Sequence, residues 1–183
     1  EDAYNWIYSE VKEDLWLAPI SGGTDLAGAF VLGHPGMPVR AGEMQCRALG
    51  NAARAYDEDG NELISAVGEL VCTQPLPSMP LYFWGDDDGS RLHDAYFDTY
   101  PGIWRHGDWI EINARGGSVI FGRSDATINR KGLRMGSAEI YQAVEGLPQV
   151  MDSLVVDLEF LGRESFMPLF VVPAKGQVLD DAL

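Results

Sequence analysis

The sequence predicts a mixed fold, in which an α/β region leads into a β-rich region and then into a small α+β region. Apolar residues recur at helical spacing over residues 1–14, and the apolar run 15–20 that follows is typical of a buried strand. Short alternating segments separated by turns fill residues 37–73. Hairpin patterns, a helix and two apolar strands follow residue 108. Helix, strand and loop in this order are the usual start of an α/β region.

The composition is that of a globular protein. Of 183 residues, 46% are hydrophobic and 22% are charged, which excludes a disordered tail or a fibre. A net charge of −15 argues against nucleic acid and anionic membranes as partners, because Lys and Arg bind their phosphates. No apolar run approaches the roughly 20 residues of a membrane helix. Cys46 and Cys72 are too few for a disulfide framework, so a cytoplasmic location is expected.

The first half of the chain is predicted to contain short elements. Three strands are predicted, over residues 43–49, 52–56 and 68–72. A turn is predicted at 57–60, and Pro75, Pro77 and Pro80 indicate a loop, because proline cannot sit in a central strand. The acidic run 86–88 lacks the spacing of a calcium loop and is interpreted as a solvated turn. A helix of about two turns is predicted around 92–96.

The second half is predicted to begin with two successive hairpins. The first joins strands 108–113 and 118–123, and the second joins strands 126–130 and 133–135. Ser137 is placed to cap a helix that ends near Glu145. The remaining elements are strands over 150–160 and 166–172 and a helix that begins at Asp180.

The loop 21–25 carries the groups that a phosphate and magnesium site needs. Gly22 and Gly23 can present backbone N–H groups to phosphate oxygens. Thr24 adds a hydroxyl, and Asp25 adds a carboxylate for the metal. Open α/β sheets place ligand-binding loops directly after a strand, as here. A plain turn is the alternative, and it is favoured when the loop is considered alone.

Residues 123–134 carry a local excess of positive charge. Four basic residues stand against Asp125 alone, which gives +3 within a chain of −15. These basic residues are Arg123, Arg130, Lys131 and Arg134. The guanidinium fork suits phosphate oxygens, and Gly132 allows backbone to approach a ligand closely. The alternative is an exposed hairpin whose bases balance nearby acids.

Asp108 follows Gly107 at the predicted mouth of a strand. A carboxylate in this position can accept hydrogen bonds from two ribose hydroxyls, and a strand cap is the alternative. The three histidines lack the spacing of metal ligands, and a core or surface role is favoured for them. They are His34, His93 and His106.

Four segments occur in a fixed order, at residues 21–25, 68–71, 104–109 and 122–140. Together they resemble the core motifs of the adenylate-forming superfamily of acyl-CoA synthetases. Segments 122–127, 134–137 and 104–109 are most similar to the branch of this family that activates acetoacetate. Asp25, where most members have Glu, also fits that branch.

The resemblance implies a two-step ligase reaction. A carboxylate attacks ATP to give an acyl-adenylate and pyrophosphate, and the thiol of coenzyme A then displaces AMP. The implied small molecules are therefore acetoacetate, ATP and coenzyme A, with Mg2+ as the metal. The alternatives are a ligase for acetate, propionate or butyrate, and a non-catalytic nucleotide-binding protein with this fold.

The resemblance also implies residue roles by position. At the phosphate end, Thr24 and Arg134 are the catalytic candidates, and both would contact phosphate. Gly22 and Gly23 would line the same loop, and Asp25 would assist Mg2+.

Further implied roles concern the ribose, coenzyme A and domain motion. Asp108 and Arg123 would hold the ribose hydroxyls. Lys131 and Gly132 would face the pantetheine of coenzyme A. Asp125 matches the hinge about which the small domain rotates between the two half-reactions.

The resemblance implies that residues 1–123 end a large N-terminal AMP-binding domain. Residues 124–183 would form most of a small C-terminal domain, truncated before its catalytic-lysine motif. The Ser/Thr/Gly-rich phosphate loop that family members carry upstream is also missing. The chain is therefore expected to act with the remainder of a longer chain and to be inactive alone.

Overall fold

The computed structural model describes residues 2–125, 127–130, 133–158 and 166–177. Its chain forms two compact units, Glu1–Phe121 and Gly122–Leu183. Within the described ranges, none of the helices has the length and hydropathy that crossing a membrane requires.

The first unit begins with the expected helical segment, but the strand predicted after it is absent. Helix α1 (Asp2–Trp6) continues into a π-helical turn over Ile7–Val11. Residues 15–20 form no strand, and the side chains of Trp16 and Ile20 are 50% and 69% exposed. The strand prediction is wrong because Pro19 offers no N–H to a neighbouring strand and because the apolar character of the run does not lead to burial here.

The first sheet is antiparallel and contains most of residues 21–25, the glycine segment. Its strands, in the order β1-β2-β3, are β1 (Ser21–Gly23), β2 (Gly28–Leu32) and β3 (Cys46–Arg47). The predicted loop 21–25 is thus a strand followed by a turn, in which the Ala27 N–H donates to the Thr24 carbonyl at 3.0 Å. The predicted strand 43–49 is shortened to β3 and a bridge between Met44 and Ser118.

The second sheet has five strands in the order β5-β4-β6-β7-β8. They are β4 (Ala53–Tyr56), β5 (Glu62–Leu63), β6 (Val67–Cys72), β7 (Trp104–Ile112) and β8 (Ser118–Arg123). The first predicted hairpin is confirmed, since its strands are β7 and β8. The sequence predicts Asp108 at the start of a strand. This prediction is wrong, because β7 begins at Trp104 and Asp108 lies in its middle.

One core joins the two sheets of the first unit. Residues of the first sheet and its connections pack against residues of β4, β6 and β7. The largest of these buried side chains are Trp104, Phe30, Leu26, Leu70, Ile110 and Ile112. Burial of apolar area on this scale is the main favourable term in folding, and it fixes the first sheet against the second.

Helix α2 (Ser90–Tyr96) confirms the predicted helix and packs against this core. The Asp86 carboxylate accepts from the backbone N–H groups of Arg91 and Leu92 at 3.0 and 2.9 Å. Asp86 is only 7% exposed, so the interpretation of the acidic run as solvated holds for Asp87 and Asp88 but is wrong for Asp86. A carboxylate that accepts these N–H groups stabilises the helix start.

The second unit contains the second predicted hairpin, which is confirmed. Strands β9 (Thr127–Arg130) and β10 (Leu133–Gly136) are antiparallel, with Leu133 opposite Arg130. Helix α3 (Ser137–Glu145) follows as predicted.

A two-stranded antiparallel sheet completes the described part of the second unit. It pairs β11 (Val150–Val155) with β12 (Leu169–Pro173). The strand predicted over 150–160 ends at Val155, although Leu158 still bridges Phe166, and its last two residues lie outside the described residues. The helix predicted to begin at Asp180 lies outside the described residues.

Candidate functional site

Gly22 and Gly23 of the glycine segment are packed too closely for larger side chains. A Cβ on Gly22 would lie 1.9 Å from the carbonyl oxygen of Gly28 in the facing strand. A Cβ on Gly23 would lie 2.6 Å from Cε1 of His106. Both glycines are therefore required for close packing. The Thr24 and Asp25 side chains are exposed at the tip of this hairpin.

A β-bulge in β7 positions Asp108. Glu69 of β6 pairs with Trp109, and Val71 of β6 pairs with Arg105. Residues 106–108 of β7 therefore lie opposite a single residue of β6, Leu70. Gly107 lies within this bulge at a φ of 85°, which glycine adopts readily. Bulges redirect side chains, and Asp108 is here buried at 7% exposure.

Glu69 holds the bulge from the neighbouring strand. Its Oε1 accepts the Gly107 N–H at 2.9 Å, and its Oε2 lies 3.2 Å from Nε of Arg105. The Glu69 side chain is 6% exposed, so these two contacts compensate a buried charge. Burial, with the Glu69 carboxylate adding to it, raises the pKa of Tyr100, which therefore stays protonated and donates to the Asp57 carbonyl.

His106 lies between the glycine segment and Asp108. Its Nε2 is 3.2 Å from the Gly22 carbonyl oxygen and 3.7 Å from Oδ2 of Asp108. Its ring also packs edge-on against Phe30, at a centroid distance of 4.7 Å. The structure thus brings the predicted phosphate segment and the predicted ribose acid together around a histidine.

His106 is buried, in agreement with the predicted core or surface role, but the sequence did not indicate its place in the site. Alternation along β7 is the signal that could have placed it, because Trp104, His106 and Asp108 are all buried. The sequence predicted this strand only from residue 108, so the alternation before that residue was not apparent.

An aromatic stack connects Asp25 to the same cluster. Oη of Tyr96 donates to Oδ2 of Asp25 at 2.5 Å. The Tyr96 ring stacks on Trp104 at a centroid distance of 3.6 Å and an angle of 14°. Trp104 in turn donates from Nε1 to Nδ1 of His106 at 3.4 Å. Helix α2 therefore fixes the exposed Asp25 relative to His106.

The other predicted residues belong to the second unit. Arg123 forms a two-point ion pair with Asp125, from Nε to Oδ1 at 2.9 Å and from Nη2 to Oδ2. Both side chains are half exposed. The backbone of Arg134 lies in β10 opposite Asn129. Lys131 and Gly132 lie outside the described residues.

No protein-family model matches the chain. The acetoacetyl-CoA synthetase of Rattus norvegicus is 44% identical over 182 residues, which are 99% of this chain and 27% of the relative. The acetoacetyl-coenzyme A synthetase of Rhizobium meliloti is 43% identical over all of this chain and 28% of the relative. This chain is homologous to one segment of the acetoacetyl-CoA synthetases. It spans about a quarter of the length of the curated relatives it matches.

The solved structures agree with this assignment. The acetoacetyl-CoA synthetase from Streptomyces lividans is 52% identical, with a TM-score of 0.85 over 99% of this chain and 27% of that chain. The anthranilate CoA ligase AuaEII, at 18% identity and a TM-score of 0.67, shares the fold. The predicted resemblance and fold class are confirmed: the chain has the fold of a C-terminal part of the adenylate-forming enzymes.

Proposed function

We propose that this chain is part of an ATP-dependent acid–thiol ligase that activates acetoacetate. The reaction would form acetoacetyl-AMP and pyrophosphate and would then give acetoacetyl-CoA and AMP. The observation that carries this proposal is similarity to acetoacetyl-CoA synthetases along nearly the whole chain, at 44% and 52% identity. Two unpaired cysteines are in keeping with a cytoplasmic location.

Residues 1–123 would end the large N-terminal domain, and residues 124–183 would begin the small C-terminal domain. Asp125 would lie at the hinge between them, where domain rotation exchanges the two half-reactions. The remainder of a longer chain would complete the active site.

At the phosphate end, Gly22 and Gly23 would line the loop, and Thr24 would contact ATP phosphate through its exposed hydroxyl. Asp25 fits a metal ligand, because its carboxylate is exposed and one oxygen is oriented by Tyr96. Mg2+ bound there would neutralise phosphate charge. Arg134 would add a positive group where the phosphate charge changes in the transition state.

Asp108 fits a ribose ligand. Its carboxylate is buried, and its Oδ2 lies 3.7 Å from Nε2 of His106, which also contacts the Gly22 carbonyl oxygen. Such a carboxylate can accept hydrogen bonds from two ribose hydroxyl groups. Arg123 would share the ribose, which requires its guanidinium to turn from Asp125. Lys131 and Gly132 would face the pantetheine of coenzyme A.

The complete protein that carries this segment tests the proposal. Thioester formation is measured with acetoacetate, acetate, propionate and butyrate, with ATP and coenzyme A present and AMP quantified. The proposal expects the highest kcat/KM with acetoacetate. A preference for one of the other acids would leave the ligase class standing but would overturn the substrate. ATP binding without turnover of any acid would favour the non-catalytic alternative.

A matched pair of variants tests the nucleotide site. Asp108→Asn is expected to raise the KM for ATP about tenfold, the size of one lost charge-assisted hydrogen bond. Asp87→Asn is the control, because Asp87 is an exposed acid of the same unit. Equal KM values for ATP in the two variants would refute the ribose assignment.

A further inference from the structure

We propose that His106 is a positioning residue for nucleotide binding, which holds the glycine segment at Asp108 through the neutral Nε2–H tautomer of its imidazole. The inference rests on the proposed function, because it gives His106 a part in the same ATP site.

The hydrogen-bond partners of His106 assign this tautomer. A carbonyl oxygen only accepts, so the Nε2 that lies 3.2 Å from the Gly22 oxygen carries the proton. An indole N–H only donates, so the Nδ1 that lies 3.4 Å from Nε1 of Trp104 is the acceptor. One nitrogen donates and the other accepts, which is the neutral imidazole.

This arrangement joins two separate sheets. Gly22 lies in the first sheet, and His106 and Asp108 lie in the second. The hydrogen bond from His106 to Gly22 joins residues that are 84 positions apart in the sequence. The same Nε2 lies 3.7 Å from Oδ2 of Asp108. It therefore fixes the distance between the proposed phosphate-binding and ribose-binding groups.

The ring also occupies its place by shape. The Gly23 Cα faces the ring edge so closely that a methyl group there would clash with Cε1 at 2.6 Å. Phe30 also contacts the ring edge-on, and Phe30 is fully buried. Preorganisation of this kind lowers the entropy cost of ordering a site around its ligand.

Two substitutions separate the donor from the acceptor. His106→Gln carries an N–H donor about as far from the backbone as Nε2, whereas His106→Asn reaches only as far as Nδ1 and keeps an acceptor for Trp104. In the complete protein, His106→Asn is expected to raise the KM for ATP about tenfold with little change in kcat, while His106→Gln stays within about threefold of the wild type. His93→Asn, an exposed histidine on α2, is the control.

A glycine pair gives a second measure that leaves His106 in place. Gly23→Ala displaces the ring and is expected to raise the KM for ATP to a similar extent. Gly28→Ala in the same hairpin is the control, because its nearest atoms would be 3.9 Å away. Melting temperatures of all variants separate a loss of stability from a loss of positioning.

The outcomes are distinct. An equal KM for ATP in His106→Asn and His106→Gln overturns the positioning role, and so does an unchanged KM in Gly23→Ala. Wild-type protein that binds ATP but does not use acetoacetate overturns the proposed substrate alone, and ATP affinities of the variants then decide on His106. Wild-type protein that binds no ATP overturns both proposals.

Discussion

The buried Glu69 carboxylate makes two contacts at the bulge of β7: it accepts a hydrogen bond from the Gly107 N–H and forms an ion pair with Arg105. Glu69→Gln keeps an acceptor for Gly107 but sets an amide group against the guanidinium. We expect a loss of about 2 kcal/mol in unfolding free energy, in the range for a disrupted buried charged hydrogen bond. Thermal melting of the complete protein measures this loss.

Glu13→Gln is the matched control, because it removes an exposed carboxylate from the same unit. A Glu69→Gln protein that melts with this control would mean that the bulge does not depend on the charge of Glu69. The KM for ATP should rise in Glu69→Gln as well, since Asp108 directly follows the residue that Glu69 holds.

Residue type and position were enough to name the glycine segment and Asp108 as candidates, although a plain turn and a strand cap fitted the same residues until the order of the motifs was considered. They were not enough to find His106. Its partners are Gly22, 84 residues away, and Trp104, whose membership of β7 the sequence did not reveal. A role that depends on long-range register and on a bulge has no local signal.

The turn between β4 and β5 contains an acid whose pKa is lowered by hydrogen bonds. Hydrogen bonds from the Asn61 backbone and side chain lower the pKa of Asp57. Because the folded-state pKa is below the unfolded value of about 4, the stabilisation is complete above the unfolded pKa and is lost as the pH falls through the folded pKa.

Asp57→Asn is therefore expected to melt at a lower temperature than the wild type at pH 7, with the difference shrinking below about pH 4. Melting temperatures between pH 7 and pH 3 test this. Asp59→Asn, an exposed acid in the same turn, should follow the wild type throughout. A constant difference between Asp57→Asn and the wild type at every pH would contradict the assignment.

Elements with local signals were predicted well, and elements that depend on distant partners were not. Alternation and turn residues predicted the hairpin of β7 and β8 and that of β9 and β10. Strand β2 escaped notice because Gly28 and Ala29 weaken its pattern. The run 15–20 has the composition of a buried strand, but composition does not supply a hydrogen-bonding partner.

At the scale of the whole molecule, the net charge of −15 contrasts with the +3 of residues 123–134. An acidic protein repels anions at long range, so a nucleotide site depends on short-range groups that are already oriented. The glycine segment, which is packed against β2 and His106, is a group of this kind. The order of the four motifs carried the resemblance to the superfamily, because each motif alone fits several folds.

A proline at the proposed hinge tests the motion of one domain against another. Asp125→Pro fixes φ near −65° and restricts Ser124, so it should hinder a rotation about this point. Asp125→Ala removes the same ion pair with Arg123 but leaves the backbone able to rotate. In the complete protein we expect Asp125→Pro to lower the rate of thioester formation about tenfold or more relative to Asp125→Ala. The acetoacetate-dependent exchange of pyrophosphate with ATP should stay within about threefold of the rate in Asp125→Ala. Equal losses of both half-reactions in Asp125→Pro would refute a hinge at this residue, because a hinge restricts the exchange between two geometries and leaves at least one of them intact.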